Sequence, residues 1–132
     1  MIKDVFQDKE VLKNKVLRSF LLVAAMLLLC WILYYILNID NYVKQFEMYS
    51  ASEDFYNKKD YVYALEGFGE IPSFRDSRQK AEEIVEIMMR EIEVFLAKGN
   101  FEKADAYVLA LKNYLFLPEE KKNIVETYEN EI

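Results

Sequence analysis

Histidine is missing from this 132-residue chain, cysteine occurs once, proline twice and glycine three times. Without histidine, the side chain that most readily moves protons near neutral pH is gone. A lone Cys30 rules out disulfides within the chain, and its place inside a long apolar run reads as a small membrane-compatible residue rather than a metal or redox thiol. Gly67, Gly69 and Gly99 make no phosphate-cradling loop. The carboxylates, Glu82 with Glu83 and Glu119 with Glu120 among them, follow no metal-loop spacing and read as solvated helix faces. With no nucleophile and base at a recognisable spacing, the expectation is a protein that is not an enzyme and uses no cofactor and no metal.

What the chain does have is apolar length. From Phe20 to Leu37 the run FLLVAAMLLLCWILYYIL carries no charge, glycine or proline. As a helix rising roughly 1.5 Å per residue, it extends about 27 Å, the thickness of a bilayer's hydrocarbon core. A cleaved secretory signal would need small residues before the cleavage point, and Leu37, Asn38 and Ile39 supply none. Trp31, Tyr34, Tyr35 and Tyr42 gather toward the C-terminal end of the run, where amphipathic rings favour the headgroup region. The reading is therefore a short N-terminal arm (1–18), a transmembrane helix (19–37) that contacts the lipid bilayer, and a soluble domain (38–132).

Charge sets the expected orientation. Lys3, Lys9, Lys13, Lys15 and Arg18 precede the span, whereas only Lys44 follows it before the pair Lys58 and Lys59. The asymmetry favours a cell-membrane protein with a cytoplasmic N-terminus and an extracellular C-terminal domain. Lys58 and Lys59 leave the reverse orientation open, in which the same domain would recruit soluble proteins. The net charge is −8 after residue 37 and +2 before Phe20, and an acidic domain argues against nucleic acid and anionic lipid surfaces as partners. The span has Ala24 and Ala25 but no small-xxx-small pair, so nothing in it supports self-association.

Beyond the span, apolar residues recur at helical spacing and breakers are few, so the fold class is all-α. The first soluble helix is expected over about 40–58, capped by Asp40 or Asn41, with continuity into the membrane helix left open. A second runs from Tyr61 to about Ile71 and stops at Pro72. In the loop IPSFRDS, Asp76 and Gln79 resemble a capping box for a third helix, about 77–98, which Gly99 ends. Asn100 caps a fourth, about 101–116, and Pro118 opens a fifth toward Ile132. On the fifth, Ile124, Tyr128 and Ile132 line up as the apolar stripe.

Two stretches, DFYNKKDYVYALEGFGEI (54–71) and VFLAKGNFEKADAYVLAL (94–111), match at an offset of 40 residues. Phe55 and Phe95, Tyr61 and Phe101, Ala64 and Ala104, Phe68 and Val108, and Ile71 and Leu111 take equivalent places, and Asp60 and Asn100 open the second helix of each pair. This pattern resembles the tetratricopeptide repeat over about residues 45–115, although the family's usual period is about 34 residues and Lys59 stands where Gly99 fits the motif. The resemblance implies one transmembrane helix followed by a small tetratricopeptide-like helical-hairpin domain, whose concave face binds a peptide or partner helix. Carried over from the family, that face comprises Phe46, Tyr49, Glu53, Tyr56 and Asn57, then Glu86, Met89, Glu93, Leu96 and Ala97. Phe46, Tyr49, Tyr56 and Met89 are its candidate anchors; the competing expectation for each is burial in a plain helical bundle.

Two repeats fall short of the three or more that a stable array usually needs. The leading expectation is accordingly a non-enzymatic adaptor or scaffold, a single-pass subunit that binds a protein partner, another membrane-complex subunit, within a larger assembly. The alternative is a membrane-anchored sensor signalling through the arm, whose Val5, Val11, Leu12, Val16 and Leu17 give it amphipathic character. Richness in Lys, Glu, Asn, Ile and Tyr suits a bacterial source.

Overall fold

The computed structural model describes residues 2–132. These form five α-helices: α1 (Ile2–Asn57), α2 (Tyr61–Glu70), α3 (Ser77–Ala97), α4 (Phe101–Asn113) and α5 (Glu119–Glu131). Among the described residues there is no strand. Contacts divide the chain into two compact units that meet between Tyr42 and Val43.

The first unit is a single stretch of α1 whose described residues are all exposed. Its apolar run is long enough to cross a membrane, and none of it is buried by the rest of the chain. Trp31 and Tyr35, one helical turn apart, stack with ring centroids 5.8 Å apart. Asp40 and Asn41, expected to cap a new helix, lie inside α1, which continues through them.

The second unit is built from antiparallel hairpins. The α1 stretch from Val43 onward pairs with α2: Tyr49 meets Phe68, Phe55 meets Tyr63, and Tyr56 meets Tyr61. Between these rings the helices come close enough that a side chain on Gly67 would collide with Ser52. The second hairpin joins α3 to α4, with Phe95 edge-on to Tyr107 at 5.3 Å. Ala81, Ile84, Val85, Met88 and Ile92 fall at i, i+3, i+4, i+7 and i+11 and lie on the buried face of α3. Ala64 and Ala104 are wholly enclosed, and the neighbouring core holds Leu65, Phe68, Ile84, Met88, Val108 and Leu111. Each such large side chain contributes about 1.5–3 kcal/mol by leaving water.

The two hairpin turns share one hydrogen-bond pattern at an offset of 40 residues. In the first, the amides of Lys58, Lys59 and Asp60 donate to the carbonyls of Asp54, Tyr56 and Phe55; in the second, those of Lys98, Gly99 and Asn100 donate to Val94, Leu96 and Phe95. Lys59 and Gly99 both take left-handed backbone, with φ of 62° and 69°. Lysine thus occupies a position where a Cβ is a handicap. Asn100 caps α4 by accepting from the Lys103 amide, whereas Asp60 makes no side-chain cap.

Three expectations need correction. The α4 helix ends at Asn113, because Tyr114 turns extended to bury its ring and Leu117 stands before Pro118, where helical backbone is disfavoured. The buried face of α5 is Val125 and Tyr128, with Lys121 half-buried one turn earlier, while Ile124 and Ile132 stay 39% and 42% exposed. That rotation aims the polar tips of Lys121 and Tyr128 at Glu86 and Glu93 of α3. Asp76 sits at the N-cap of α3 but makes no cap bond.

Two outcomes test these contacts by thermal unfolding. Gly67→Ala gains about 1 kcal/mol of helix propensity, but its Cβ would lie 2.0 Å from Ser52 Oγ, an overpacking expected to cost about 1–3 kcal/mol. A net loss is expected, part of which Ser52→Ala restores in the double variant; a higher melting temperature for Gly67→Ala alone would contradict the close approach. Lys59→Gly should stabilise by about 0.5–1 kcal/mol and Gly99→Lys destabilise by about 1 kcal/mol. Because among the described residues no atom lies within 4 Å of where a Cβ on Gly99 would stand, that loss would come from the backbone alone.

Candidate partner-binding surface

The ten positions implied by the repeat resemblance divide between core and surface. Tyr49 is buried, not displayed: its ring stands edge-on to Phe68 at 5.5 Å and to Phe74 at 5.7 Å, and its hydroxyl donates to Asp76 Oδ1 at 2.5 Å. Met89 is likewise part of the core. Bulky residues on the facing sides of closely packed helices go where apolar area is removed from water, which withdraws these two from any open groove.

Along α1, Phe46 and Tyr49 lie against the segment between α2 and α3, and Glu53 reaches α3 itself. Phe46 remains 43% exposed and lies under the Arg75 guanidinium, 5.0 Å from its ring centre. The same guanidinium lies 5.4 Å from Tyr49 and 5.5 Å from Phe74, so one cation covers three ring faces. Arg75 holds this place with left-handed backbone at φ 50°. Glu53 pairs with Lys80, whose amine also stands 5.2 Å from the Tyr49 ring.

The remaining positions lie elsewhere. Tyr56 is half-buried beside Tyr61, and Asn57 is exposed as the last residue of α1. On α3, Glu86 pairs with Lys121, and Glu93 accepts from the Tyr128 hydroxyl at 2.7 Å. Both carboxylates are therefore engaged by α5. Leu96 is half-buried and Ala97 exposed.

Electrostatics follow from these contacts. The Tyr49 hydroxyl holds the Asp76 carboxyl below the usual carboxylate range; burial opposes this, and Lys80 and Arg75 reinforce it. In return, hydrogen bonding to Asp76 and burial raise the Tyr49 phenol. Burial, together with Glu93, pushes the Tyr128 phenol up to about 12. Burial and the Glu91 carboxylate likewise raise Tyr107. Among the described residues no three His, Cys, Asp or Glu side chains converge to hold a metal. What the surface supplies is apolar contact, ring faces and carboxylates.

Sequence reasoning missed two features. Arg75 gave no signal, because its role depends on three rings from separate elements. The other is a cleft of about 390 Å³ between α2 and α4, bordered by Val62, Leu65, Glu66, Glu70, Leu109 and Leu115. Its signal was Leu109, an apolar residue off the core face that Ala104, Val108 and Leu111 define on α4. Comparison with protein families, curated proteins and solved structures finds no match to this chain.

Tyr49→Phe isolates the hydroxyl from the ring. Loss of its bond should cost about 1 kcal/mol at pH 7. Because Asp76 has a folded pKa below its unfolded value of about 3.9, its stabilisation is complete above that value and disappears as pH falls through the folded one. The variant should therefore lose less stability than the parent between pH 5 and 2, measured by denaturant unfolding. Parallel acid profiles would remove Asp76 from the account.

Proposed function

We propose that this protein is a non-enzymatic, single-pass membrane adaptor or scaffold subunit, holding a protein partner through a tetratricopeptide-like helical domain within a larger membrane complex. The observation that carries the reading is the Phe20–Leu37 run, apolar on every face and unburied by the rest of the chain. Eighteen such residues in water would form an apolar patch far beyond what soluble monomers expose, and a bilayer removes that cost. The basic arm favours a cytoplasmic N-terminus and an extracellular C-terminal domain in the cell membrane.

The repeat reading draws support from the shared backbone pattern of the two turns and from the enclosed alanines at equivalent positions, Ala64 and Ala104. Helix pairs of this kind stack through neighbour contacts and offer extended surfaces for protein segments. The α5 helix continues the stack against α3 and α4 through Glu86–Lys121, Glu93–Tyr128 and Lys112–Glu129. Such a short array gains stability from a partner that lengthens its contact surface. Phe46, Tyr56, Asn57 and the Arg75 side chain are exposed or half-buried on the α1 side.

Extraction of tagged protein from its native membrane in mild detergent, followed by mass spectrometry, tests the assignment. A second membrane protein at fixed stoichiometry is the expected result. Recovery of the chain alone, as a monomer or a homo-oligomer, would sink the adaptor reading.

A further inference from the structure

The α2–α4 cleft has an apolar floor and a one-signed rim. Val62, Leu65 and Ala110 line it, while Leu109 and Leu115 are 59% and 86% exposed at its edge. Small residues keep it open: Gly69 and Ala106 present little or no side chain where α2 faces α4. A Cβ on Gly69 would already stand 3.4 Å from the Tyr114 ring. Ridges of an incoming helix or extended segment need such a depression to seat their side chains.

The rim is acidic and uncompensated. Glu66 and Glu70 project from α2, which carries no lysine or arginine. Among the described residues neither carboxylate has an ion-pair partner. The two cations of α4 are committed elsewhere, Lys112 to Glu129 and Lys103 over the Phe95 ring at 5.8 Å. We propose that this cleft docks a protein segment in which leucine-like anchors are flanked by lysines or arginines.

Charge complementarity selects this occupant over the others. Two copies meeting through the same face would bring two acidic rims into one interface, which like-charge repulsion disfavours. Anionic lipid headgroups meet the same repulsion. A basic segment gains steering from the carboxylates and burial from the leucines.

The inference rests on the adaptor reading and names the chemistry of its partner. Its test uses the full chain reconstituted in nanodiscs and a phage-displayed library of random 16-residue peptides. Enriched peptides should combine aliphatic or aromatic anchors with lysine or arginine. Their affinity should fall at least tenfold for Leu109→Glu and for Glu66→Lys with Glu70→Lys. All three positions are exposed, so helical content by circular dichroism should match the parent. Acidic enriched peptides, no enrichment, equal binding by the variants, or a dimer or lipid contact that Leu109→Glu abolishes would each overturn the proposal. If a native partner co-purifies equally well with Leu109→Glu, the cleft assignment fails while the adaptor reading stands.

Discussion

Tyr49 ties together three elements of the 43–132 unit. Its ring joins α1 to Phe68 of α2 and to Phe74 in the following loop, while its hydroxyl reaches Asp76 at the start of α3. A buried tyrosine hydroxyl left without a partner costs free energy, and a carboxylate is a strong partner. That requirement draws Asp76 away from capping α3. It also places Arg75 over three rings, with backbone in the left-handed region. The geometry of the α2–α3 loop is thus subordinate to the polar end of one core residue.

Close packing of the first hairpin has the same logic. Ser52 is buried, and its hydroxyl is satisfied by the Met48 carbonyl one turn back at 2.8 Å. With Ser52 so fixed, only glycine fits at position 67. Two glycines within the ten residues of α2 are poor helix formers; one admits α1, and the other borders the cleft toward α4. At the equivalent positions of α3 and α4 stand larger groups, Ile92 in place of Ser52 and Tyr107 in place of Gly67. The two hairpins therefore share a turn but differ in the size of the residues at these two positions.

The surface follows from where charge is already neutralised. On the α3–α5 side, Glu86 and Glu93 are engaged by Lys121 and Tyr128. On the α1 side, Glu53 is engaged by Lys80. Among the described residues Glu66 and Glu70 on α2 have no such partners, and they stand beside a depression lined with apolar groups. The proposed docking chemistry arises from that imbalance rather than from the chain's net charge, which would attract any cation indiscriminately.

The all-α class, the positions of the turns at Lys59 and Gly99, and the apolar run long enough to cross a membrane could all be read from the order of residues. Each depends on local chemistry: helical periodicity, left-handed turn geometry, and uninterrupted apolar length. The hydrogen-bond pattern that the two turns share likewise belongs to short stretches of chain. Tertiary structure alone decided the rest. Periodicity places Tyr49, Met89, Ile124 and Tyr128 on helix faces without saying which neighbour covers each face. Packing then buried Tyr49 and Met89, and turned α5 so that Val125 went inward and Ile124 outward. Asp76 left its capping role for a hydroxyl 27 residues away in the chain, and the α2–α4 cleft came from glycine and alanine on separate helices. Contacts between residues remote in sequence depend on shape complementarity between assembled helices, a property no single segment carries.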